Sequence, residues 1–166
     1  MVFIRVKTIS GKKYAYSVES VWKKVGTRQK VKGYLGKVYF LSETPALTTF
    51  DLTKPYAGFL DALLVQLGFT ATGSIFTRKV SDGAREKTIV VDLEKGTVRD
   101  EDKAERVLAV NDGYLCTDTL TEVKAALEQS KSTTGEALAQ SLVNAGFRIA
   151  PECFVAVFQA KQTASK

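Results

Sequence analysis

The sequence contains no histidine, two cysteines and three prolines among its 166 residues. Without histidine, Ser-His-Asp and Cys-His nucleophilic machinery is excluded, together with every histidine-containing metal site. Cys116 and Cys153 are too few for a disulfide framework or a self-sufficient zinc site, and their apolar or helical contexts predict free, buried thiols. No apolar run approaches the roughly 20 residues that a membrane-spanning helix needs. The N-terminal stretch MVFIRVKTISGKKY carries Arg5 inside its only apolar segment, so it lacks the uninterrupted core of a secretory signal, and the expected location is the cytoplasm. An enzyme built from this chain would have to work with carboxylates, lysines, tyrosines or thiols alone. The expectation is therefore a non-enzymatic protein with no cofactor, no catalytic set and no metal.

What the sequence does have is an uneven distribution of charge. Of 24 cations and 18 anions overall, residues 1–40 hold ten cations against the single anion Glu19, a net +9, which leaves 14 cations and 17 anions, a net −3, for residues 41–166. A localised basic segment of this kind is the electrostatic footprint of a protein that meets nucleic acid or another anionic surface. The remaining composition, 45% hydrophobic and 25% charged, is that of a globular chain rather than a disordered or fibrous one.

The basic segment reads as strands. Residues 2–9 and 14–22 are rich in β-branched and aromatic residues and flank the turn Ser10-Gly11-Lys12-Lys13, which predicts a hairpin. A second turn around residues 23–27 leads to a strand over 28–35, and another extended segment, 37–41, follows Gly36. The unit is expected to be a three- or four-stranded antiparallel meander that packs its apolar face on the rest of the chain. Side chains alternate along a strand, so Arg28, Lys30, Lys32 and Tyr34 are expected on one face. If that face also carries Arg5 and Lys7, with Tyr14, Tyr16 or Tyr34 between the cations, it offers ammonium and guanidinium groups for phosphates and rings for base stacking. Lys12, Lys13, Lys23, Lys24 and Lys37 extend the patch, and Trp22 is a further stacking candidate. The competing reading is that the lysines keep an exposed edge strand soluble, with Tyr14, Tyr16 and Trp22 on its buried face.

Three short motifs in this segment, Val18-Glu19-Ser20, Arg28-Gln29-Lys30-Val31 and Tyr34-Leu35-Gly36, sit in a stretch, residues 13–37, that resembles the N-terminal β-hairpin region of insertion-element transposases. The resemblance implies a DNA-related hairpin module in a prokaryotic or archaeal setting. Such transposases cut DNA with a much larger domain bearing spaced carboxylates, and no counterpart of that domain is expected here.

Residues 42–55 read as a linker or irregular packing segment, and residues 56–166 as a second α+β region. Phe59, Leu60, Leu63, Leu64 and Leu67 mark one apolar helical face ending at Gly68. The turns Ser81-Asp82-Gly83, Glu94-Lys95-Gly96 and Asn111-Asp112-Gly113 then predict a second antiparallel sheet that includes residues 106–110. Capping boxes at Thr119 to Glu122 and Thr133 to Glu136, and Pro151 at a helix start, predict three C-terminal helices. Leu138, Leu142, Val143, Phe147, Phe154, Val155 and Phe158 belong to a core or, alternatively, to a homodimer surface, with the core preferred. Asp92, Glu94 and the run Asp100, Glu101, Asp102 with Lys103 contain the residue types of a two-metal nuclease, although such a run is more often a solvated loop.

The overall expectation is an α+β protein with a basic N-terminal antiparallel β-meander and C-terminal helices. Its expected role is nucleic-acid binding, to DNA or RNA with DNA preferred. A protein–protein adaptor using the helical half is the alternative, and a metal-dependent nuclease the third reading.

Overall fold

The computed structural model describes residues 2–24, 26–128 and 134–163. The fold is α+β, with nine strands in two sheets and four helices among these residues. The first sheet begins with β1 (Val2–Ile9), β2 (Lys12–Lys23) and β3 (Gly26–Phe40), joined as an antiparallel meander. Two segments expected as separate strands on either side of Gly36 are one strand, β3. After α1 (Pro55–Gln66) come β4 (Thr70–Thr72), β5 (Ile75–Ser81), β6 (Glu86–Asp92) and β7 (Thr97–Asp100), which form a second, fully antiparallel sheet in sequence order.

The next two strands depart from expectation. β8 (Arg106–Val110) and β9 (Gly113–Leu115) do not extend the second sheet; β8 returns to the first and pairs in parallel with β3, matching Lys37 to Arg106 and Phe40 to Ala109. Its sequence, RVLAV, is buried from Val107 to Val110 on both faces, as a strand flanked on each side by structure must be. The turn from β8 to β9 also differs from the simple glycine turn that the sequence suggests. Asn111 takes the left-handed conformation (φ 50°), which asparagine tolerates. Gly113 serves close packing instead, because a Cβ there would lie 2.3 Å from the amide nitrogen of Gly146 and the carbonyl oxygen of Val143.

Helices α2 (Thr117–Glu128), α3 (Gly135–Asn144) and α4 (Pro151–Thr163) follow. The first starts two residues before the expected cap. Thr119 lies inside its first turn, where its hydroxyl accepts from the Cys116 amide at 3.0 Å and lies 2.7 Å from the Tyr114 carbonyl, to which it donates. Thr133 lies outside the described residues, and α3 is capped by Thr134, whose Oγ1 accepts from the Ala137 amide at 3.2 Å.

One hydrophobic core joins all these parts. It takes Tyr39, Leu108 and Leu115 from the first sheet, Phe76, Ile89 and Val98 from the second, the Phe59 to Leu67 face of α1, and Leu120, Leu127, Leu138, Leu142 and Val157 from the C-terminal helices. Leu138, Leu142 and Phe147 are thus core residues, while Val143 and Val155 remain exposed. A smaller cluster of Ala15, Val38, Val107, Ala109 and Cys116 fills the other face of the first sheet at the root of the meander. Both cysteines are free and buried, and burial pushes both thiols up from the usual range.

A polar link ties the sheets together. Asp100, only 2% exposed at the end of β7, accepts from the amides of Asp102 and Ala104 at 3.0 Å and pairs with the Arg106 guanidinium of β8 at 2.6 Å. The expected solvated acidic run is therefore anchored at its first residue. Asp100→Asn removes a charge-assisted interaction from a buried site, and its expected cost is about 2 kcal/mol, read as a lowered midpoint of urea unfolding.

Candidate nucleic-acid interface

The geometry of the meander follows from its register. Arg5 lies opposite Tyr16 and Lys7 opposite Tyr14, while across the other edge of β2 Tyr16 faces Tyr34 and Tyr14 faces Lys37. Opposed residues share a sheet face, so Arg5, Lys7, Tyr14, Tyr16, Tyr34 and Lys37 are brought together. Tyr34 packs against both other phenols, with ring centroids 5.5 Å from Tyr16 and 6.3 Å from Tyr14, and the Lys7 ammonium sits 5.2 Å from the centre of the Tyr16 ring. Arg5 donates to the Gln29 side-chain oxygen at 2.6 Å. Tyr34 is 54% exposed, and its partial burial still raises the phenol above its ordinary pKa.

Arg28, Lys30 and Lys32 are not on that face. The pairing of β2 with β3 shifts twice, leaving Lys32 and then Leu35 without an opposite residue, and each extra residue reverses which face the following side chains take. Lys30 consequently lies opposite Glu19 and Arg28 opposite Val21, on the reverse side from the tyrosines. Lys32 reaches Glu19 at 2.9 Å, which holds that carboxyl below its usual range. Gly33 and Gly36 were the readable signal of the irregularity, since an isolated glycine within a strand pattern marks a bulge.

The far half of the meander stands away from the body. Among the described residues β1 begins opposite Glu19, so residues 20–23 pair there only with residues 26–29, and β8 joins β3 only from Lys37 onward. Residues 26–32 are exposed throughout. Trp22, opposite Thr27 on the tyrosine face, is 84% exposed near the tip, and Lys24 is exposed in the turn; the side chain of Lys23 lies outside the described residues. Lys12 and Lys13 are exposed at the opposite end of β2. Lys37 is less available, because it is ion-paired with Asp82 and lies 5.1 Å from the Tyr39 ring centre.

Arg106 is the cation that sequence reasoning missed. It stands beside Lys37 through the β3–β8 pairing, but its guanidinium is engaged by Asp100. The carboxylates of a nuclease-like site are likewise committed elsewhere. Glu101 accepts from the Thr88 amide at 2.8 Å, Lys87 bridges Glu101 and Asp102, and Asp92 accepts from the Lys95 amide at 3.0 Å. Among the described residues no group of three or more histidine, cysteine or acidic side chains converges as a cation site, and no helix is long and apolar enough to cross a membrane.

Comparison with protein-family models, with curated proteins and with solved structures returned no match for this chain.

Glu19 is the one anion in the basic segment. Glu19→Gln releases Lys32 and removes a repulsive charge for any polyanion, so nucleic-acid affinity is expected to rise about two- to threefold with a steeper salt dependence, measured by anisotropy titration. An unchanged affinity and slope would place the contact away from this part of β3.

Proposed function

We propose that this protein binds nucleic acid through its protruding basic meander and catalyses no reaction on it. The carrying observation is the grouping of Arg5 and Lys7 with Tyr14, Tyr16 and Tyr34 on one face of a ribbon whose outer half is free of the body. Cations at the margin of a ring platform suit a strand with unpaired bases: the backbone meets Arg5 and Lys7 while a base lies on the exposed side of Tyr34, a stacking contact worth roughly 1–3 kcal/mol. Trp22 offers a second ring further along the same face, and Arg28, Lys30, Lys32 and Lys24 add a field that draws polyanions to the arm. The resemblance of residues 13–37 to transposase hairpins favours DNA over RNA.

The test is fluorescence anisotropy of labelled single-stranded DNA, duplex DNA and RNA over a salt series. Binding at micromolar concentration or tighter is expected, with a log–log slope of about −0.7 per neutralised phosphate on single strands and about −0.9 on duplex. Absence of binding to all three at low salt would overturn the reading.

A further inference from the structure

A cleft of about 420 Å3 opens where the β1–β2 turn, the end of β3 and the β5–β6 turn meet. Its lining includes Lys12, Lys13, Lys37 and Asp82; Lys12 and Lys37 approach it from the tyrosine face of the sheet, and Lys13 from the reverse face together with Phe40. Lys12 and Lys13 are exposed, and among the described residues no carboxylate pairs with either. Lys37 is paired with Asp82. That carboxylate is fixed to its own turn, accepting from the amides of Ala84 at 3.1 Å and Arg85 at 2.9 Å. These contacts, led by the hydrogen bond from Lys37, hold it far below the usual carboxylate range. It therefore stays ionised and in place, and two positive charges remain uncompensated in the cleft.

Two excess charges match a phosphate monoester, which carries about −1.5 to −2 near neutral pH, better than an internal phosphodiester, which carries one. The cleft also supplies a ring. Phe40, the last residue of β3, is 58% exposed at its lip, with the Lys13 ammonium 4.4 Å from the ring centre. An ammonium held beside an aromatic face meets a phosphate and a stacked base of the same nucleotide. The Ser81 hydroxyl accepts from the Gly83 amide at 3.1 Å, which leaves its proton to donate to a phosphate oxygen.

We infer that this cleft binds a terminal phosphate monoester next to a base, either a free mononucleotide or the phosphorylated end of a strand. The strand-end form rests on the nucleic-acid reading; the mononucleotide form does not. Bound there, the phosphate meets Lys13 beside Phe40, which the base covers, with Lys12 and Lys37 approaching around the strand ends from the other face.

The experiment compares short oligothymidylates, labelled at one end and carrying either a phosphate or a hydroxyl at the other, at equal salt. A parallel calorimetric titration compares thymidine monophosphate with thymidine. The phosphorylated strand is expected to bind about tenfold tighter than the hydroxyl-ended one, the worth of one hydrogen bond to a charged group, and the monophosphate to bind where thymidine does not. In Lys12→Ala/Lys13→Ala the phosphate-to-hydroxyl affinity ratio is expected to fall to about one. In Asp82→Asn, which frees Lys37 and removes the anion, the ratio rises. Equal binding of both strand ends with no binding of the monophosphate, or a ratio that the double variant leaves unchanged, overturns the cleft while the interface reading stands. Monophosphate binding without strand binding supports the cleft and removes the interface reading. Binding of neither overturns both.

Discussion

Arg5→Ala/Lys7→Ala is expected to weaken single-stranded nucleic-acid binding by roughly tenfold to a hundredfold at moderate salt and to flatten the log–log salt slope by about 1.4, two phosphates' worth on a single strand. Both side chains are exposed beside the tyrosine cluster, so their removal takes charge from the place where the rings are proposed to hold a strand. Arg28→Ala/Lys30→Ala/Lys32→Ala removes three charges, yet they lie on the reverse face and one of them is already paired with Glu19. Its expected effect is the smaller one, mainly a slower association as the attracting field weakens. Tyr34→Ala discriminates further. It is expected to cost single strands about 1–3 kcal/mol and duplex DNA much less, because paired bases do not present their faces. If the triple variant abolishes binding while Arg5→Ala/Lys7→Ala leaves it intact, the contact face is the one bearing Glu19, and the tyrosines are packing residues only.

The second large effect concerns stability. Gly36 has φ 127°, and a Cβ built on it would lie 2.2 Å from the carbonyl oxygen of Glu105, 2.7 Å from its carbon and 3.0 Å from the amide nitrogen of Arg106. All three contacts are backbone, so no side-chain rotation relieves them. Gly36→Ala adds strained backbone at roughly 1–3 kcal/mol to overpacking at a further 1–3 kcal/mol, for an expected loss of about 4 kcal/mol. At about 2–4 °C per kcal/mol for a chain of this size, that is a fall in Tm on the order of 12 °C. Gly33 is the internal control. It lies in the same strand with nothing within 4 Å of a built Cβ and without a positive φ, so Gly33→Ala is expected to change stability by less than about 1 kcal/mol. A similar small loss at both positions would mean that β3 and β8 do not meet as closely as described.

The contrast between these glycines also shows what a reader of the sequence can and cannot extract. The α+β class, the hairpin at Ser10-Gly11 and the C-terminal helices were legible because their signals are local: alternation, a turn residue, an apolar face, a proline at a helix start. The partner of β3 was not. RVLAV reads equally well as a member of either sheet, and nothing near it in the chain says that it returns to residues 37–40. The sorting of the basic residues failed for a subtler reason. Period-two counting puts Arg28, Lys30, Lys32 and Tyr34 together, but one unpaired residue at Lys32 moves Tyr34 across the sheet. The glycines hinted at bulges, yet only the register says where the parity changes. Asp100 was obscured for a comparable reason, since its burial depends on Arg106 from another sheet.

The parallel pairing of β3 with β8 has a consequence for the order in which the chain assembles. During synthesis the meander emerges before β8, and its inner edge at Lys37 to Phe40 stays open until Arg106 to Ala109 arrive. At roughly 5–20 residues per second, that wait lasts several seconds. Pairings so distant in sequence are slow to close even in a finished chain. Throughout the interval an extended strand shows unsatisfied amides and carbonyls, the condition under which nascent chains join one another edge to edge. The cations along residues 28–37 make neighbouring nascent meanders repel, so the charges proposed to draw a polyanion to the finished protein also guard its unfinished edge.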